Sequence, residues 1–183
     1  VVVRTHVAII ALAKMADVRQ QAVTDELTGL ANRRSLFAHL PARLADTTTG
    51  RRRPAVMVLD LDNFKTINDQ FGHAVGDAVL VALAGRLRSR MRGDDLVARL
   101  GGDEFAVIAT VGDDDEARQL AARIAAGVAE PVQTGDALHA VRASIGLVRA
   151  SPGEDADTVL RRADEAMYRA KAAGGGVFEG GHE

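Results

Sequence analysis

Arg99-Leu100-Gly101-Gly102-Asp103-Glu104-Phe105 decides the fold, because it sets two glycines and two carboxylates between apolar runs of strand composition. Leu96 to Leu100 and Phe105 to Ala109 are short and rich in β-favouring residues, and a connection of a few residues containing glycine joins them. That is a hairpin signal. The two carboxylates then stand at the hairpin tip, at the edge of a sheet.

A second acidic cluster makes the first interpretable. Pro54-Ala55-Val56-Met57-Val58-Leu59 is a continuous apolar run that ends in Asp60-Leu61-Asp62, the pattern of a buried strand delivering carboxylates at its C-terminal end. Side chains two apart on a strand share a face, so Asp60 and Asp62 point one way while Leu61 turns into the core and leaves its carbonyl available. Hard oxygen donors of this kind suit magnesium, which keeps several waters and takes one or two protein carboxylates plus substrate phosphates. An isolated Asp-x-Asp or Gly-Gly-Asp is most simply a polar turn, and only the two together point to a cation site.

Working outward, Leu80, Leu83, Leu87 and Met91 fall at helical spacing, as do Ala117, Leu120, Ile124 and Val128, and Leu160, Ala163, Met167 and Ala170. Asp113-Asp114-Asp115 reads as the capped, dipole-complementing start of the second of these helices rather than as a metal site. Pro41 is expected to kink or end a helix that starts near Arg33. His139 to Ala143 and Ile145 to Val148 read as further strand, broken at Gly146. The order of elements predicts an α/β (α+β) sandwich with a central, mainly antiparallel sheet flanked by helices.

With 183 residues the chain suits one domain and an appendage. Lys and Arg number 23 against 25 Asp and Glu, a formal net charge of -2, which gives no electrostatic case for a nucleic-acid partner. The absence of cysteine excludes disulfides, thiol chemistry and Cys-ligated zinc, and is compatible with a reducing cytoplasm. Val7 to Ala13 is apolar but far shorter than the ~20 residues that span a bilayer. Ala8, Leu12, Met15 and Ala22 lie at heptad-like spacing interrupted by Arg19, which fits either a helix pairing with a second copy or a single connecting helix. Residues 1–23 are therefore expected to be a linker or signalling helix, residues 24–179 the folded domain, and residues 180–183 a tail.

The chain resembles the GGDEF domain, the diguanylate cyclase family that joins two GTP molecules into cyclic di-GMP. The resemblance runs in order through Asp25-Glu26-Leu27-Thr28-Gly29-Leu30-Ala31-Asn32-Arg33-Arg34, Asp60-Leu61-Asp62-Asn63-Phe64-Lys65-Thr66-Ile67-Asn68-Asp69, Phe71-Gly72-His73 with Gly76-Asp77, the signature Gly101 to Phe105, Ser144-Ile145-Gly146, and Ala163-Asp164-Glu165-Ala166-Met167-Tyr168-Arg169-Ala170-Lys171. It implies the palm-like fold of class III nucleotide cyclases. It also implies metal binding by Asp60, the Leu61 carbonyl and Asp103, with Glu104 as a further ligand or acid–base group, around Mg2+ or Mn2+, two ions per site. Asp103, Glu104 and Lys65 would carry the chemistry. Asn68 and Asp77 match the guanine-recognising positions, Phe64, Lys65, Gly101 and Gly102 the rest of the nucleotide pocket, and Lys171 a terminal-phosphate contact.

Further expectations follow from the same resemblance. Product formation from two GTP needs a homodimer with facing half-sites, and an upstream sensor would act on the dimer in a cytoplasmic domain, the longer protein being membrane-tethered in some arrangements. Arg92-Gly93-Asp94-Asp95, with Arg123, matches the family's product-binding inhibitory motif, so Arg92, Asp95 and Arg123 are expected to bind cyclic di-GMP. One departure stands out. After Lys171 the family usually continues into Gly-Arg-Asn, whereas this chain reads Ala172-Ala173-Gly174-Gly175-Gly176. Gly175 thus replaces an expected arginine, and restoring it is expected to tighten the grip on GTP unless the glycines form a positive-φ turn. A GGDEF module acting only as a GTP or cyclic di-GMP receptor is the alternative function.

Overall fold

Two apolar cores, divided by one long strand, organise the domain. The computed structural model describes residues 23–45 and 52–181. Its elements run β1 (Ala31–Asn32), α1 (Arg33–Ala45), β2 (Arg53–Asp62), α2 (Phe64–Phe71), α3 (His73–Ser89), β3 (Leu96–Gly101), β4 (Glu104–Val111), α4 (Asp114–Ala129), β5 (Val132–Thr134), β6 (Ala137–His139), β7 (Arg142–Arg149), α5 (Ala156–Ala172) and β8 (Gly176–Glu179). Six strands form one sheet in the order β1-β3-β4-β2-β7-β8, and β5 and β6 pair separately. The β1–β3 and β7–β8 pairs are parallel and the other three antiparallel, so the sheet is mainly antiparallel as the sequence predicts.

The continuous apolar run of β2 is explained by burial on both faces. Ala55, Met57, Leu59 and Leu61 enter the larger core with Phe64 of α2, Leu83 of α3 and Ile124 of α4. Val56 and Val58 enter the smaller core with Leu36 and Leu40 of α1 and Ala163 and Met167 of α5. Asp60 and Asp62 continue the Val56–Val58 face, so the strand's alternation carries them toward the C-terminal end of α5. The capping expectation holds: the Asp113 carboxylate accepts the Glu116 N–H at 2.8 Å at the start of α4.

Two expectations are corrected. Pro41 does not end the helix, the stronger of the two expected effects, since α1 runs through it to Ala45. The carbonyl deprived of its helical donor is that of Phe37, and both residues lie on the exposed face, where water can serve it. Nor does Gly146 break its strand, because β7 pairs with β2 continuously from Arg142 to Arg149. A Cβ at Gly146 would lie 1.9 Å from the Ala163 carbonyl oxygen and 2.3 Å from the Met167 nitrogen, so glycine there lets α5 lie directly on the sheet. Residues 1–22, on which the expected N-terminal helix falls, lie outside the described residues.

Candidate active site

The β2–β4 register builds the acidic centre. Asp60 stands directly opposite Glu104, and the Leu61 N–H donates to the Asp103 carbonyl at 3.3 Å. That bond makes Leu61 and Asp103 the hydrogen-bonded pair and leaves Asp60 and Glu104 as the closer, non-hydrogen-bonded pair. It also turns the Leu61 carbonyl toward the hairpin edge. Burial raises the Glu104 carboxyl above its ordinary value, and the neighbouring Asp60, Asp164 and Asp103 raise it further against the opposing pull of Arg33. Like charges directly opposite on a sheet are destabilising. The cation bonded to Asp60 is Lys171, near the end of α5, whose Nζ lies 2.7 Å from Asp60 Oδ1. This contact raises the Lys171 ammonium above its ordinary value, more than burial lowers it. Asp62 is held apart from the pair, accepting the hydroxyl of fully buried Ser144 at 2.7 Å.

The Gly-Gly turn is fixed from the N-terminal side. Gly101 and Gly102 have φ of 145° and 51°, both values that L side chains adopt only at a cost. The Gly102 carbonyl accepts from Arg99 Nε at 3.0 Å and from its Nη2 at 2.7 Å. The remaining arm of that guanidinium reaches both oxygens of Asp25, at 3.1 and 3.2 Å. Burial alone would raise the Asp25 carboxyl, but hydrogen bonds from Thr28 and the Arg99 pair outweigh it and hold the group below its ordinary value. The opening Asp25-to-Arg34 motif therefore braces the signature turn, a role no local spacing announces.

Asn63, at φ 57°, turns the chain out of β2 into α2, a conformation asparagine tolerates better than most residues. Phe64 is buried in the larger core, while Lys65 is exposed at the start of the helix. A Cβ on Gly76 would fall 2.0 Å from Asn68 Oδ1 and 3.2 Å from Phe64 Cζ. Gly76 therefore lets the Asn68 amide sit beside the residue preceding Asp77, which itself is exposed. The fold brings both expected guanine-recognising positions to the α2–α3 corner.

A family model described as diguanylate cyclase, GGDEF domain, matches residues 22–176. The chain belongs to the GGDEF domain family. It is 41% identical over 161 residues to the diguanylate cyclase DgcP of Pseudomonas aeruginosa, covering 87% of this chain and 24% of that protein. It is 43% identical over 160 residues to TpbB of the same species, covering 85% of this chain and 37% of the relative. The chain thus spans between about a quarter and about two fifths of these curated relatives. Among solved structures, the isolated GGDEF domain of PA1120 from P. aeruginosa aligns with TM-score 0.81 at 39% identity, over 86% of this chain and 94% of that one. The coiled coil and GGDEF domain of DgcB from Caulobacter crescentus, in complex with c-di-GMP, aligns with TM-score 0.86 at 29% identity, over 97% and 96%. The expected palm-like cyclase fold is thereby established.

GGDEF cyclases generally depend on a divalent metal. The residues here fit such an ion: every donor is oxygen, and the Asp60–Glu104 pair is a concentration of negative charge met at close range by one lysine. Among the described residues no three acidic or histidine side chains close around a single point.

In the GGDEF domain the terminal glycines are a structural turn. Gly174, Gly175 and Gly176 all have φ between 95° and 101°, and the Gly175 N–H closes α5 on the Ala170 carbonyl at 2.9 Å. A Cβ at Gly175 would approach Asp62 Oδ2 to 2.9 Å. Arginine at this position would meet both the backbone conformation and the Asp62 carboxylate. The positive-φ turn that was the exception to the expected gain is therefore present.

Away from the acidic centre, Arg92, Asp95 and Arg123 line one cavity of ≈ 220 Å³, together with Thr110, Glu116 and Gln119. The three residues named for product binding are thus brought together. The Asp95 carboxylate accepts the Arg92 backbone N–H at 2.9 Å. Glu116, which sequence reasoning passed over, binds the Gly112 N–H at 2.7 Å through one oxygen and Arg92 Nη1 at 3.2 Å through the other, with Arg52 at 3.5 Å. The Gly112 N–H is the main reason its carboxyl lies below the ordinary value, and the two arginines add to it.

Proposed function

We propose that this GGDEF domain is a diguanylate cyclase, condensing two GTP into cyclic di-GMP and two pyrophosphates at a homodimer interface, with product inhibition. The observation that carries the reading is the cross-strand Asp60–Glu104 pair at the signature turn, set beside the Asn68–Gly76–Asp77 corner. In each of two steps the 3′-oxygen of one GTP bonds to the α-phosphorus of the other. The bond from that phosphorus to the bridging β-oxygen breaks, and pyrophosphate leaves with the electron pair. A carboxylate of the Asp103–Glu104 pair accepts the hydroxyl proton. Divalent ions held by Asp60, the Leu61 carbonyl, Asp103 and Glu104 supply Lewis-acid polarisation of the α-phosphate and acidification of the hydroxyl when bound.

Asp77 accepts from the guanine N1–H and amino group, a donor pair adenine lacks, and Asn68 completes the base contact. Lys65 and Lys171 bring point charges to the phosphates, and Gly101 and Gly102 let the backbone approach them. Two copies related by a two-fold axis place each 3′-hydroxyl in line with the other α-phosphate, which turns a rare encounter into an oriented one. Residues 1–23 serve as the linker through which an upstream sensor acts on this alignment, and residues 24–179 as the catalytic unit. Cyclic di-GMP returns to the Arg92–Asp95–Arg123 cavity, where guanidinium forks suit its phosphates and guanine edges.

The receptor reading rests on one observation, the Gly175 turn in place of a second phosphate-binding cation. Incubation of the purified chain with GTP and Mg2+, followed by chromatography of the nucleotides, separates the two. The cyclase converts GTP to cyclic di-GMP, and a receptor returns GTP unchanged.

A further inference from the structure

Lys171 does not point into an open phosphate site. Its ammonium is bonded to Asp60, the carboxylate assigned above to the metal, and the two come from positions 111 residues apart in the chain. The two sides of this pair differ in freedom. The Asp60 side chain is 11% exposed and fixed in the central strand, whereas that of Lys171 is 49% exposed, on a flexible stem in the last turn of α5. No second cation is recorded on Asp60 among the described residues, and Asp62 is already engaged by Ser144. A lysine is a compact point charge on a rotatable stem, without the fixed fork by which arginine locks a carboxylate. It is suited to leaving.

We propose that Lys171 is a displaceable counter-ion: it neutralises Asp60 in the metal-free protein, yields that carboxylate to a divalent cation, and turns to the triphosphate that arrives with it. This rests on the reading of Asp60 as a metal ligand. One lysine then links two binding events. Without nucleotide it competes with the cation for Asp60, and with nucleotide the competitor is drawn away, so metal and triphosphate tighten one another's binding reciprocally. A lysine that served only phosphate would leave metal affinity in the absence of nucleotide unchanged.

Calorimetric titration of Mn2+ into the full chain without nucleotide distinguishes these cases, with thermal melts to establish that each variant is folded. Lys171→Met is expected to bind Mn2+ about threefold to tenfold more tightly than the parent, the factor corresponding to removal of one partly exposed, well-formed ion pair. Lys171→Arg is expected to retain the competition. Repeating the titration with a saturating non-hydrolysable GTP analogue should tighten Mn2+ binding more in the parent than in Lys171→Met. Unchanged or weaker Mn2+ binding by Lys171→Met without nucleotide, while Asp60→Asn loses it, overturns the counter-ion role and leaves the metal site standing. Mn2+ binding that survives Asp60→Asn overturns the metal site, and the counter-ion proposal with it.

Discussion

The acidic end of the sheet and the arginine cavity are opposites in charge and alike in design. At the first, Asp60 and Glu104 face one another with Lys171 as the close cation. At the second, Arg92 and Arg123 line a cavity in which Glu116 is the carboxylate bound to Arg92. Each site keeps counter-charges of its own, Lys171 at the first and Glu116 and Asp95 at the second, which limit the electrostatic cost of gathering like charges. The difference lies in burial. Asp60 is 11% exposed and the Arg92 side chain 68%, so charge conflict is far less screened by solvent at the acidic end.

The largest expected effect breaks the acidic end alone. Asp103→Ala should lower kcat by about a hundredfold or more while leaving the melting temperature within a few degrees, because it removes transition-state charge stabilisation and no core packing. Undiminished turnover would remove Asp103 from the chemistry. Arg92→Ala breaks the other end: cyclic di-GMP should bind about tenfold more weakly, with initial rates preserved and progress curves that no longer flatten early. Loss of initial rate to the same extent as product affinity would show that the two regions are not separable.

Asp25 tests the brace behind the signature turn. Asp25→Asn should cost about 1–2 kcal/mol by leaving Arg99 without its carboxylate partner, read from chemical denaturation. The sign of its pH dependence follows from the depressed carboxyl. Its stabilisation is complete above the unfolded value of 3.8 and is lost as pH falls from there through the lower folded value. The parent should therefore lose stability more steeply than Asp25→Asn in that acidic window, and parallel curves would contradict the pairing. The smallest effect sharpens the contrast in burial. Glu104→Gln removes a charge opposite Asp60 and should raise the melting temperature by about 2 °C in metal-free buffer. A lower melting temperature would mean that the carboxylates are not in conflict.

The elements legible in the sequence are those with a long, uninterrupted pattern. The β2 run, the signature hairpin and helices α3, α4 and α5 carry enough periodic residues to be read directly. Strand β1 has two residues and β8 four, all exposed in β8, so neither offers a hydrophobic alternation. Gly146 and Pro41 mislead because their local meaning is set by their surroundings, a helix lying on the strand and an exposed helix face. The site divides in the same way. Motif residues announce themselves, but the Lys171–Asp60 contact and the Asp25–Arg99 brace join positions 111 and 74 apart, which only strand register and helix packing bring together. Gly175 is the sharpest case: the missing arginine is visible in sequence, and the positive φ that would strain it is not.

Cyclisation at the acidic end is read by following pyrophosphate release and cyclic di-GMP formation from GTP and Mg2+ together. Two pyrophosphates are expected for each cyclic di-GMP, with both signals lost in Asp60→Asn and both retained in Arg92→Ala. Binding of GTP and cyclic di-GMP by the folded parent with neither product released would contradict cyclisation there.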